Sequence, residues 1–330
     1  MRPDGRNRKL IHGRPNDRSL RARRVPGSWP EARPDRGAAL GTSAEPLPCA
    51  TVTTARAPLT LNDVIAAFEG IYDPGWAAAW DAVGLVCGEP EQPVQRVLFA
   101  VDPVAAVVDE AARWRADLIV THHPLLLRGV SSVAATTPKG RLVHRLISSG
   151  TALYTAHTNA DSACPGVSDA LATAVGVEGP LRPLEPDPTD PNGNRGIGRI
   201  GALPEPLPLR SFAQQVAHGL PTTAVGVRVA GDPDRTVRTV AVSGGAGDSL
   251  LDTARAARVD AYLTSDLRHH PSSEFAEHGD TALIDTAHFA SEWPWLPEAA
   301  TRLADALGGE GANVETRVST IVTDAWSQAF

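Results

Sequence analysis

Two stretches of this chain set a carboxylate four residues after a histidine: Ala156-His157-Thr158-Asn159-Ala160-Asp161 and Ala287-His288-Phe289-Ala290-Ser291-Glu292. If the chain turns into a helix there, that spacing puts an imidazole and an oxygen donor on neighbouring faces, the arrangement a metal ion needs. For His288 and Glu292 the bland alternative is a first helical turn with a dipole-favouring Glu. Two histidine pairs, His122-His123 and His269-His270, each follow a segment that reads as a buried strand. Adjacent residues of a regular strand point to opposite faces, so His122 and His123 either hold different ions or curl together at the strand end. Both arrangements suit a two-metal centre, whose ions lie about 3.5–4 Å apart. An isolated His-His-Pro is an ordinary loop feature, but beside two His-x3-carboxylate sets it reads as ligands. One carboxylate from each set, Asp161 and Glu292, would neutralise two dications, with His157 as an orienting donor or proton carrier. His270, near Asp266, is a further catalytic candidate lining the pocket, a surface position being the alternative. Imidazole and carboxylate donors without thiolate admit Zn, Fe, Mn, Co or Ni.

The elements that must position these residues follow from pattern. Thr60 and Asp63 are spaced as a capping box before the apolar stripe Leu61, Val64, Ile65 and Phe68, predicting a helix to about Tyr72. A short strand follows within Trp80 to Gly88, and Val97 to Val101 reads as a central strand. Asp102 then caps and Pro103 opens a helix ending near Arg115. Leu118 to Thr121 is the next strand, with His122 at its C-terminal end. Strand, helix, strand implies a right-handed crossover and a parallel pair with its chemistry at the strand ends. A helix over about 139–148 and a strand over 152–155 deliver His157, and a helix from Ser168 to Val175 closes this half. Residues 181–196, rich in Pro, Asp, Asn and Gly, read as a loop or linker. A helix around 209–218 and a strand around 225–229 follow.

The chain then repeats itself. Ala116-Asp117 and the strand into His122-His123-Pro124 are answered by Val259-Asp260 and the strand into His269-His270-Pro271, and Gly150 to His157 is answered by Gly279 to His288. Two related α/β halves would build one site at their interface. Ser243-Gly244-Gly245-Ala246-Gly247 offers either amides for a phosphate or a packing turn, and the Lys of a P-loop is missing.

With 330 residues the chain can bury a full core. Residues 1–57 hold 12 Lys+Arg and 5 Asp+Glu, net +7, leaving 19 and 33, net −14, for the rest. The leading Arg- and Pro-rich stretch has no apolar periodicity and is expected to be disordered, either an inert extension or the product of a start placed too far upstream. Nucleic-acid binding by this tail is the less favoured reading, and the acidic remainder disfavours a nucleic-acid groove. No run of about 18 uncharged apolar residues exists, which argues against a membrane span. Three scattered cysteines without CxxC suit reduced thiols in a cytoplasmic protein.

Taken together, Trp80-Asp81-Ala82-Val83-Gly84-Leu85, Thr121-His122-His123-Pro124, His157 to Asp161, Gly196-x-Gly198-Arg199-x-Gly201 and His288 to Glu292 make the chain resemble the Nif-three-like dinuclear metal centre family, known as GTP cyclohydrolase 1 type 2 homologues. The resemblance runs from about Leu59 to the C-terminus. It departs at Ala82, where the family often has Asn, and at Ala287, where Gly commonly precedes the ligand His. What it implies is an α/β protein of two pseudo-repeated lobes, 58–180 and 197–330, each a mixed or parallel sheet flanked by helices, with the metal site between them. It also implies a toroidal homohexamer, a trimer of dimers. Two divalent ions per subunit would be held by His122, His123, Asp161, His288 and Glu292. The implied activity is a metal-dependent hydrolase acting on a nucleotide-like substrate, such as a guanine nucleotide whose imidazole ring is opened. The alternative is a non-catalytic hexamer that handles metal or recruits partners.

Overall fold

Thr60 starts the first helix as its sequence demands: its hydroxyl accepts the Asp63 N–H at 3.2 Å, and Asp63 Oδ2 accepts the Thr60 N–H at 2.9 Å. The computed structural model describes residues 58–308 and 314–330, so the readings for residues 1–57 lie outside the described residues. The helices are α1 (Leu61–Glu69), α2 (Ala105–Trp114), α3 (Pro138–Ser149), α4 (Thr158–Ser162), α5 (Val167–Ala174), α6 (Leu209–Gly219), α7 (Leu251–Ala256), α8 (His269–Glu277), α9 (His288–Glu292) and α10 (Trp295–Ala306). The strands of the first sheet are β1 (Gly84–Cys87), β2 (Arg96–Ala100), β3 (Leu118–Thr121), β4 (Ala152–Thr155) and β11 (Glu315–Val318). Those of the second are β5 (Glu178–Pro186), β6 (Gly196–Pro208), β7 (Arg228–Ala230), β8 (Thr236–Ala246), β9 (Ala261–Ser265) and β10 (Ala282–Thr286).

The first sheet runs β1-β4-β3-β2-β11, parallel except for β1 at its edge. The second runs β5-β6-β8-β9-β10-β7, with a parallel centre, β8-β9-β10, between antiparallel flanks. Side chains of β2 alternate between two buried faces. Val97 and Phe99 join a core with Leu61, Val64 and Phe68 of α1 and Trp295 and Leu303 of α10. Leu98 and Ala100 join one with Val107 of α2 and Leu142 and Leu146 of α3. In the second sheet, Val240 and Leu263 face Leu171 of α5 and Phe212 of α6, while Ala241 and Tyr262 face Leu251 of α7 and Phe275 of α8.

Sheet membership therefore does not follow a division at 58–180 and 197–330. Helix α5 covers the second sheet, whereas α10 and β11 return to the first. Nor is 181–196 a plain linker, since its first six residues belong to β5. Prolines 183 and 186 fit there because β5 is an edge strand, where a missing N–H disturbs little of the ladder. The repeat is visible in the backbone. Arg115 and Arg258 both adopt the left-handed conformation, with φ of 58° and 55°. Two residues later Asp117 turns back to accept N–H groups at the start of β2, and Asp260 does the same for Arg238 and Thr239 within β8.

Burial alone would raise the Asp260 carboxyl pKa, but the Thr239 N–H and hydroxyl and the Arg238 N–H outweigh it and hold the group below its ordinary value. A depressed folded pKa adds stability that is fully present above the unfolded value of about 4 and is lost as pH falls through the folded value. Asp260→Asn should thus lower stability at pH 7 by about 1 kcal/mol and narrow the difference from wild type at pH 3. Urea midpoints at the two pH values check this, and a deficit that does not shrink in acid would contradict it.

Candidate metal centre

The parallel ladders continue past the strands and fix what emerges from their ends. His122 N–H bonds to Ala100 O at 3.2 Å, His123 N–H to Val101 O at 2.9 Å, and Ala156 N–H to Thr121 O at 2.9 Å. Asp102, His122, His123 and His157 consequently leave the first sheet at one edge. The second sheet repeats the device: Ser265 and Thr286 are register partners at the ends of β9 and β10, so Asp266 and His288 emerge together. The single-turn helices α4 and α9 then carry Asp161 and Glu292 one turn beyond His157 and His288.

Every imidazole of the cluster has its Nδ1 held by an oxygen. His122 Nδ1 donates to Ala156 O at 3.0 Å, His123 to Asp102 Oδ1 at 2.7 Å, His157 to Asp81 Oδ1 at 2.9 Å and His288 to Asp266 Oδ2 at 2.7 Å. An Nδ1 that faces an acceptor carries the hydrogen, which leaves Nε2 as the free donor atom. The Nε2 atoms of His122, His123 and His288 converge on Glu292, a side chain only 3 % exposed. His288 Nε2 lies 2.9 Å and His122 Nε2 3.4 Å from Glu292 Oε1, and His123 Nε2 lies 3.1 Å from Oε2. Asp161 Oδ1 is 3.7 Å from His122 Nε2.

Three observations test whether a metal ion fits. His122 Nε2 and Glu292 Oε2, two of the convergent atoms, are buried with no hydrogen-bond partner. The Nε2 atoms of His123 and His288 face each other at 3.2 Å, close to the spacing of about 3.3 Å between two ligands of a tetrahedral ion at 2.0–2.1 Å. Gly245, with φ of +69°, leaves the room: a Cβ there would lie 2.6 Å from Glu292 Oε1 and 3.3 Å from His288 Nε2. The Ser243 to Gly247 segment, which closes β8, is thus packed against the cluster, and Gly245 N–H is held by Ser291 Oγ at 2.9 Å.

Two donor groups result, His122 with His123 and His157, and His123 with His288 and Glu292. The electrostatics point the same way. Burial alone would lower the pKa of His123 and His288, yet Glu292, aided by Asp102 and Asp266, raises them to about 11 and about 10. Burial likewise opposes the charge of Glu292, but His123, His122 and His288 hold its carboxyl well below the ordinary range. The cluster demands positive charge at the Nε2 positions, and a dication bound there displaces protons.

His157 stands with the ligand candidates as well as beside Asp161, so its ring faces the centre directly. His270 does not reach it. Three residues, Asp266 to Arg268, separate β9 from the second histidine pair, which starts the exposed part of α8 outside the cleft lining. Asp102 does not cap α2, which begins at Ala105 without a side-chain cap. Asp81, Asp102 and Asp266, which hold Nδ1 atoms, are the residues that sequence reasoning missed as parts of the site. The centre opens into a cleft of about 680 Å³ whose walls include Trp76, Trp80, Glu185 and Asp187.

Fold and cluster together define a mixed α/β protein of two helix-flanked sheets with a buried histidine-carboxylate group able to hold metal. The chain belongs to the Duf34/NIF3 (NGG1p interacting factor 3) family, whose profile matches residues 59–325. It is 57 % identical over 267 residues to the GTP cyclohydrolase 1 type 2 homolog of Streptomyces coelicolor, covering 81 % of this chain and 93 % of that one. It is 30 % identical to the NIF3-like protein 1 of Drosophila melanogaster, covering 76 % and 84 %. Its fold matches the crystal structure of a Bacillus cereus protein related to NIF3, with a TM-score of 0.75, 23 % identity and coverage of 82 % and 99 %.

Removing the carboxylate that orients a ligand imidazole weakens metal binding by about 10–100-fold. Asp102→Ala should do so while keeping the fold, as measured by chelator competition alongside thermal melting. Unchanged affinity would contradict the orienting role.

Proposed function

We propose that the protein is a dinuclear-metal-dependent hydrolase acting on a nucleotide-like substrate. The observation that supports the reading is the pair of donor groups that overlap at His123; with Nδ1 committed to Asp102, His123 offers one Nε2 and would serve one ion, leaving His122 and the carboxylates for a second. His122, His123, Asp161, His288 and Glu292 would hold the ions, which can be Zn, Fe, Mn, Co or Ni. Two divalent ions, when bound, act as Lewis acids that make water nucleophilic at neutral pH and polarise the group it attacks. His157 stands on the cleft side, its Nδ1 fixed by the fully buried Asp81, and would take up a proton at Nε2. Trp80, 63 % exposed at the cleft and 6.0 Å from the His157 ring, offers a face on which a base can stack. The name borne by the relatives, GTP cyclohydrolase 1 type 2 homolog, supports a guanine nucleotide as the first substrate to try.

A second reading rests on a different feature. The cleft lining holds Asp161, Glu185, Asp187 and Glu292 and, among the described residues, no Lys or Arg. Arg195, over the Trp76 ring at 4.6 Å, pairs with Asp187 at 2.9 Å and offsets one of these charges, and the remaining carboxylates favour cations, as suits a protein that stores or delivers metal. In either role we place the chain in the cytoplasm, as a toroidal homohexamer with no nucleic-acid partner. Among the described residues no helix is long and apolar enough to cross a membrane.

Metal-loaded protein should hydrolyse GTP, and His122→Ala or Glu292→Ala should lower turnover at least about 100-fold along with metal content. His157→Ala should lower kcat by about 100-fold or more with metal retained. Full metal loading without turnover would favour the metal-handling reading, and loss of metal from His157→Ala would make His157 a ligand.

A further inference from the structure

His123 borders a second cavity. Behind Asp102 and His123 lies a pocket of about 500 Å³, the size of a small-molecule site, which does not share its lining with the acidic cleft. Its floor is apolar, made by Val104, Pro124, Leu125 and Leu142. One face of α3 forms a wall: Pro138, Arg141, Leu142 and Arg145 fall at i, i+3, i+4 and i+7, so they stack along the same side. Lys139 of the first turn lines the pocket too, which brings three cationic side chains to it.

The charges are unevenly committed. Arg145 pairs with Asp109, whereas among the described residues neither Lys139 nor Arg141 has a carboxylate within ion-pair distance. Arg141 reaches only the Ala135 and Thr136 carbonyls, at 3.5 Å each. The single carboxylate in the lining, Asp102, is engaged on both oxygens, by His123 Nδ1 and by the Thr323 hydroxyl. The pocket therefore combines two free cations, an apolar floor and an end wall made by a candidate metal ligand. The cleft on the other side of the cluster offers carboxylates and aromatic rings.

We propose that this pocket binds a phosphate monoester of a small apolar or aromatic alcohol, with its dianion on Arg141, which stands on the wall face of α3, and on Lys139, which lines the same pocket from the first turn, and its body on Leu125 and Leu142. Two unpaired cations match a dianion, and the floor accepts a ring or short chain. As a place for the non-reacting end of a substrate the pocket rests on the hydrolase reading, while as a binding site it stands independently of it.

The test is equilibrium dialysis of phenyl phosphate against the full chain, chelator-stripped and metal-loaded, with phenol and inorganic phosphate as comparisons. Phenyl phosphate should bind both forms saturably and more tightly than either comparison. Lys139→Glu and Arg141→Glu, both at exposed positions, should each weaken it at least about tenfold with melting temperature and metal content unchanged. Lys139→Met and Arg141→Met should weaken it less, which keeps the test sound if a reversal perturbs folding. Glu292→Gln should leave it unaffected. Binding that ignores both charge reversals, or that appears only in metal-loaded protein and vanishes in Glu292→Gln, would overturn the pocket and put the phosphate on the ions. Absent turnover with Lys139-dependent binding would sink the hydrolase reading alone.

Discussion

Glu292 is a carboxylate enclosed by three imidazoles, and the rest of the structure answers to its burial. An ionised group taken out of water is strongly disfavoured unless it is matched by opposite charge. Here the match comes from His122, His123 and His288, whose Nε2 atoms all lie within 3.4 Å of its oxygens. Each imidazole is in turn held from behind: by Ala156 O for His122, Asp102 for His123 and Asp266 for His288. Because a low-dielectric site strengthens every electrostatic term, this assembly favours cations far more than an exposed cluster of the same residues would. Gly245 completes it by having no side chain where Glu292 and His288 must sit.

That enclosure depends on two sheets acting together. His122 and His123 leave the first sheet and His288 the second, and the two sheets are covered by elements from both parts of the chain. Helix α5 lies on the second sheet while Trp295 of α10 packs at 5.4 Å from the His122 ring, in the first core. Arg199 reinforces the connection from within. Fully buried, it pairs with Asp169 of α5 and donates to Ala163 O, Gly196 O and Gly198 O, so β6 is tied to the segment that follows Asp161. Exchange of covering elements makes the ligand edges of the two sheets parts of one packed body, and close packing holds donor atoms in place.

The residues that gather at the cluster were legible in the sequence because their chemistry is rare and their spacing regular. The His-x3-carboxylate sets do become single-turn helices, and the strands at 118–121 and 152–155 stand where apolar runs put them. Asp102 was hidden because an Asp followed by Pro is equally a helix start, and only the parallel register of β2 with β3 reveals it beside His123. The same holds for Asp81 and Asp266, whose partners are distant in sequence. His270 misled through the repeat itself: the second His-His-Pro copies the first in letters, but three more residues after β9 carry it onto α8. Periodicity shows that α5 and α10 each have an apolar face and says nothing of which sheet it meets. The prolines of 181–196 suggested a linker because edge position, which makes them tolerable in β5, is a property of the sheet and not of the segment.

The central claim is that these donors define two cation positions, and the most direct measurement is metal content per chain. Elemental analysis would be made on protein purified without chelator and reloaded with a divalent ion, and anomalous diffraction from crystals of the same sample would locate the ions. About two ions per chain, with density between His123, His288 and Glu292 and beside His122, is the predicted result. No stoichiometric metal after reloading, or a single ion with the second donor group empty, would contradict the account.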